Sequence, residues 1–153
     1  MPRDTRSKIP VESSGPFRHV LVPTDLTERA ERALAMVGRL ALPETSRITL
    51  LHVIQAIDGP HTGELKGFYG RLERRAKTAM TATARRAGKG VRVATAVTVG
   101  RRAEEIVAFA SANDVDLIVL ASHRVNPSLA NRDWGTISYK VGILAQCPVL
   151  LVK

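Results

Sequence analysis

The chain has one cysteine, Cys147, so no disulfide can form within it. Histidines, cysteines and acidic residues nowhere stand at the spacings of a metal centre. Apolar runs are short: "VDLIVLA" and "CPVLLV" fall far below the ~20 residues of a membrane span, and the opening "MPRDTRSKIPVESSGPF" has no apolar stretch of the signal-peptide kind. These absences point to a cytoplasmic protein without metal, disulfides or membrane insertion. Aromatic residues make up only 4% of the chain, which disfavours a nucleic-acid module built on base stacking. No nucleophile stands with a candidate base and no carboxylates form a matched pair, so nothing argues for substrate turnover.

Negative charge is also scarce. There are 14 acidic residues against 23 lysines and arginines, for a formal net charge of +9. The excess is concentrated between Glu64 and Arg92, where nine basic residues face two acidic ones. There the apolar positions Leu65, Phe68, Leu72, Ala76, Ala79 and Met80 recur at helical spacing. The basic arc around them reads as a solvated face with weak, salt-sensitive attraction for polyanions, not as a specific nucleic-acid surface.

What the chain does have is length for one hydrophobic core and a regular alternation of patterns. Residues 1 to 16 mix Pro, Ser, Gly and charge without periodicity and read as a flexible tail, leaving 17–153 as the folded domain. From Phe17 onward, strands "HVLVPTD", "RITLLHVI", "VRVATAVTV", "VDLIVLA" and "CPVLLVK" alternate with helices "TERAERALAMVGRLAL", Glu64 to Ala87, "RAEEIVAFASAN" and "TISYKVGILA". This is an α/β fold with right-handed crossovers and a five-stranded parallel sheet covered by helices on both faces. "HVLV", "TLLHV" and "LIVLA" are apolar at nearly every position and belong at its centre. "VRVATAVTV" alternates and belongs near an edge.

Two segments carry candidate chemistry. The first strand ends in Pro23-Thr24-Asp25, and the fourth opens into "ASHRVNPSLANRDWGT", residues 121–136, before the last helix. Parallel sheets bind ligands beyond the carboxyl ends of their strands, where the chain order reverses. An aspartate there can accept from a ribose hydroxyl or a base. Asp25 with Glu28 also has the spacing of a capping box on the following helix, and either Asp25 or Thr27 could cap it. His52, inside an apolar strand, reads as a hydrogen-bonded core histidine, and Cys147 as a small buried hydrophobe. Trp134 could shield the crevice or pack on a partner.

The ordered blocks "HVLVPTDLTERAERAL", "ITLLHV", "DLIVLAS", "GTISYKV" and "CPVLLVK" resemble the universal stress protein family. The resemblance implies strand order 3-2-1-4-5 in a Rossmann-like sheet, a homodimer, and in many members a site for ATP or another adenine nucleotide. It places base and ribose against Pro23, Thr24, Asp25 and Val53, and the phosphates in a loop of the form G-x2-G-x9-G-[S/T]. In this chain the last pair is Gly135-Thr136, whereas the first two glycine positions fall on Ala121 and Arg124, and the second gap is one residue longer. Glycine serves where backbone must approach phosphate oxygens closely. Here His123, Arg124 and Arg132 bring cations instead, while Asp133 opposes an anion. The altered loop is expected to weaken ATP binding and to favour a shorter phosphate chain.

The leading function is therefore a regulatory module of the stress response that senses a nucleotide and signals to an unknown protein partner. The alternatives are an adaptor of the same fold that binds no nucleotide and a slow ATP hydrolase or phosphotransferase. A homodimer would pair the apolar edge "CPVLLVK" across a two-fold axis.

Overall fold

The computed structural model describes residues 17–40, 42, 44–58, 63–87, 92–123 and 136–153. The tail expected at 1–16 lies outside them, as do Lys89, Arg124, Arg132, Asp133, Trp134 and Gly135. Five strands, β1 (His19–Thr24), β2 (Arg47–Gln55), β3 (Val93–Gly100), β4 (Leu117–Ala121) and β5 (Val149–Val152), alternate with helices α1 (Arg29–Arg39), α2 (Gly63–Arg86), α3 (Arg102–Ala112) and α4 (Ile137–Leu144). All pairings are parallel, and the order is β3-β2-β1-β4-β5, as the family resemblance implies.

The pleat sorts the apolar side chains into two layers, since successive residues of a strand point to opposite faces. Val20, Val22, Ile48, Leu50, Leu117 and Val119 pack with Ala33, Leu34 and Val37 of α1 and Ala76 and Met80 of α2. Leu21, Leu51, Val53, Ile118 and Leu120 pack on the other face with Ala103, Ile106 and Ala110 of α3 and Val141 of α4. The central strands are buried on both faces, which is why they read as unbroken apolar runs. β3 exposes Ala94, Thr95 and Val99, in keeping with its edge position.

At the amino ends of the strands a buried polar cluster fixes β1 against its neighbours. Asp116 accepts from the Arg18 and His19 amides at 2.7 and 3.0 Å. His19, only 4% exposed, sets Nε2 2.8 Å from the Thr49 hydroxyl. Its Nδ1 lies 2.8 Å from the Asn113 carbonyl and 2.9 Å from an Arg47 guanidinium nitrogen.

At the opposite end β1 and β4 part company. Arg18 accepts from Arg47 of β2 and His19 from Asp116 beside β4, so odd-numbered residues of β1 direct their backbone polar groups to β4. Pro23 is the next odd position after Leu21, and it has no N–H to donate. The β1–β4 register accordingly stops at Leu21↔Ile118, whereas β1–β2 pairing continues to Thr24↔His52. A gap opens between the carboxyl ends of the two central strands.

Candidate functional site

The gap leads into a cavity of about 420 Å³. β1 contributes Pro23 and Thr24 with Asp25 just beyond, and α1 contributes Arg29 and Ala30. Leu51, His52 and Val53 come from β2, Arg102 and Ile106 from α3, Leu120, Ala121 and His123 from β4 and the turn after it, and Thr136, Ile137 and Ser138 from the start of α4. Seven residues singled out from the sequence, Pro23, Thr24, Asp25, Val53, Ala121, His123 and Thr136, thus line one space. Arg124 and Gly135 lie outside the described residues. Among the described residues no group of three or more His, Cys, Asp and Glu could hold a metal ion, and no helix is long and apolar enough to cross a membrane.

Asp25 does not form a capping box. The N-cap of α1 is Glu28, whose side chain makes no cap bond. Instead the Leu26 amide donates to the Thr24 hydroxyl at 2.9 Å and the Thr27 amide to Asp25 Oδ1 at 3.0 Å, with the Thr27 hydroxyl also donating to Oδ1. Thr27 in turn accepts from the Arg29 amide through its hydroxyl at 3.4 Å. These nested turns hold Leu26 at φ 65°, a left-handed conformation that costs an ordinary side chain energy. Both Thr27 bonds fall on Oδ1, so Oδ2 keeps capacity for a further donor. Partial burial pushes the Asp25 carboxyl up, but the Thr27 hydroxyl and amide, the Arg29 charge and its own amide together outweigh burial and hold it below its ordinary value. It is a carboxylate, an acceptor, at neutral pH.

His52 was legible as hydrogen-bonded but not as a cavity residue. Its Nδ1 lies 2.9 Å from the Thr24 carbonyl, which can only accept, so Nδ1 carries the proton. In the neutral ring Nε2 is then an acceptor, and it has no partner among the described residues. At the other end of the cavity Thr136 caps α4, its hydroxyl oxygen accepting from the Tyr139 amide at 3.4 Å. The first-turn amides of α4 and the helix dipole there suit an anion. Lys153 Nζ donates to the Ser122 hydroxyl and the His123 carbonyl at 3.3 and 3.2 Å, tying the end of the chain to the turn after β4.

The cavity therefore brings together acceptors at Asp25 and His52, apolar walls of Leu51, Val53, Ile106, Leu120 and Ile137, the arginines Arg29 and Arg102, and the first-turn amides of α4 with His123 nearby. Cys147 lies elsewhere. It is half-buried against the α3/α4 layer, and burial, reinforced by Asp116, pushes its thiol up despite opposing backbone hydrogen bonds.

The universal stress protein family model matches residues 16–153. This chain belongs to that family. The universal stress protein YxiE of Bacillus subtilis (strain 168) is 32% identical over 127 residues, 82% of this chain and 81% of that protein. Among solved structures, the protein MJ0577 is similar with a TM-score of 0.71 and 29% identity, covering 90% of this chain and 96% of that one. Two more distant universal stress proteins share the fold at 19% identity. One, in complex with cAMP, has a TM-score of 0.65 over 90% of this chain and 98% of its own. The other, from Archaeoglobus fulgidus in complex with dAMP, has a TM-score of 0.59 over 90% and 99%.

Three polar cavity residues of this universal stress protein had no signal of their own in the sequence, Arg29, Arg102 and Ser138, and His52 read only as a core histidine. Arg29 and Arg102 each stand at the first position of a helix. A charge there reads as solvated until the crossover that brings it to the cavity is known.

Proposed function

We propose that this universal stress protein is a ligand-responsive module of the stress response that binds an adenine nucleotide in this cavity. The observation that carries the reading is the cavity itself, because it joins a free carboxylate oxygen on Asp25 to the capped N-terminus of α4 across an apolar wall. Its volume falls in the range of roughly 300–1,000 Å³ common for small-molecule sites. Base and ribose lie toward Pro23, Thr24, Asp25 and Val53, and the phosphates toward Ala121, His123, Thr136 and the loop holding Arg124 and Gly135. Support comes also from the relatives of the same fold solved with cAMP and dAMP. Calorimetric titration with AMP, cAMP, ADP and ATP tests the reading, with binding expected and the shorter phosphate chains favoured. No heat with any of them would leave the adaptor.

The module acts as a homodimer in this reading. β5 is an edge strand, and its Leu151 and the α4 residues Ile143 and Leu144 are exposed, Ile143 by 67%. Pairing across a two-fold axis would cover both the strand edge and these side chains. Leu150 is half-buried against the core, so Ile143→Glu is the cleaner probe, and light scattering should report its loss of dimer.

A further inference from the structure

We infer that Lys153 is a positioning residue for the phosphate end of the cavity, holding the turn after β4 where phosphate oxygens meet it. The inference rests on the nucleotide reading and deepens it by naming a residue that does not line the cavity and acts on the ligand through Ser122 and His123. Hydrogen bonds converge on these two residues from the end of β5. The Ser122 amide donates to the Val152 carbonyl at 2.7 Å. The Lys153 ammonium donates to the Ser122 hydroxyl at 3.3 Å and to the His123 carbonyl at 3.2 Å, and the Ser122 hydroxyl donates to that same carbonyl at 3.3 Å. His123 lines the cavity, whereas Ser122 is buried behind it.

The sheet itself stops short of this turn. The β4–β5 register ends at Ala121↔Val152, and the Ser122 amide makes the last backbone bond across it. Among the described residues no backbone–backbone bond reaches His123, so its carbonyl is held by the side chains of Lys153 and Ser122 alone. The pleat also puts the tether on the side where an anion is wanted. Leu120 packs in the α3/α4 layer while Ala121 and Val152 pack in the opposite one, so by alternation Ser122 and Lys153 both turn to the α3/α4 face. α4 covers that face and begins at the carboxyl ends of the strands, its Thr136, Ile137 and Ser138 lining the cavity. A lysine on the side of a helix start opposes the helix dipole, and an anion held between them reverses that sign. Lys153 thus fixes one wall of the phosphate end, and its charge favours the group that the α4 amides also favour.

Titration calorimetry of the full chain with AMP and with adenosine tests this, because adenosine fills the base and ribose end and lacks the phosphate. In Lys153→Met the Kd for AMP should rise about fivefold, the upper size of an exposed charge contact, while the Kd for adenosine should move by less than about twofold. Lys153→Arg keeps a cationic donor and should recover most of the AMP affinity. Ser122→Ala should reproduce part of the loss, and joining it to Lys153→Met should cost less than the two losses summed, since both act through one contact. An unchanged AMP Kd in Lys153→Met would overturn the proposal and leave the nucleotide reading standing. Equal weakening of AMP and adenosine would overturn it as well, because it marks a general loosening of the fold. So would full additivity of the two losses, which makes the lysine a direct phosphate contact. No binding of either ligand by the wild type would remove both readings.

Discussion

Replacing Asp25 separates its work for the ligand from its work for the loop. In Asp25→Ala the Thr27 amide and hydroxyl lose their shared acceptor. The group is exposed, so the cost should resemble loss of a helix cap, about 1 kcal/mol, and lower Tm by roughly 2–4 °C at this chain length. The ligand loses a hydrogen bond to a charged acceptor, worth about 1.5–3 kcal/mol, so the Kd for AMP should rise by about ten- to 150-fold. Asp25→Asn keeps an oxygen for Thr27 and removes the charge; it should lower Tm by less than Asp25→Ala while still weakening AMP. Tripolyphosphate, which has no ribose or base, should bind both variants at least as well as the wild type, because a repelling charge has gone. Scanning calorimetry and titration calorimetry on the same samples supply the two readouts. An unchanged AMP Kd in Asp25→Ala would refute the assignment of this carboxylate to the ligand. The acid side gives an independent check. A carboxyl whose folded pKa is depressed contributes stability that is fully present above its ordinary value, about 3.9, and is lost as pH falls through the lower folded value. Tm of the wild type should therefore begin to converge on that of Asp25→Asn below about pH 4.

Two further outcomes follow from groups away from the cavity. His19→Leu strands the buried Thr49 hydroxyl, and chemical denaturation should report a loss of about 1–3 kcal/mol, the cost of an unsatisfied buried polar group. Cys147, its thiol pushed up by burial and by Asp116, should alkylate with iodoacetamide at pH 7.5 at least about tenfold more slowly than free cysteine, and denaturant should abolish the difference.

Which strands are central was legible because burial on both faces writes unbroken apolar runs into β1, β2 and β4, while a wet face writes alternation into β3; the full order came from the family resemblance, since the equally apolar β5 lies at an edge. The strand-end residues of the site were legible for a related reason: in a parallel sheet all carboxyl ends open on one side, so Asp25, Val53 and Ala121 had to meet. Arg29 and Arg102 were not, because their place depends on where two helices begin relative to a gap between other strands. The local pattern at Asp25 misled in one respect, since Glu28 stands at capping-box spacing but the side chain that tightens this turn is Thr27. His19 belongs to the same class of hidden contact, its partners lying 28 to 94 residues away.

The break between β1 and β4 stems from a backbone donor that Pro23 does not have, whereas the groups that would select a ligand are side chains around the opening. Shape and selectivity are thus written in different parts of the molecule. The lining can be exchanged residue by residue without asking the sheet to refold, and the void persists through each exchange. A chain built this way can change what it senses while keeping where it senses it, and a designer could graft a new specificity here by altering cavity residues at helix starts, such as Arg29, Arg102 and Ser138, with the two core layers left untouched.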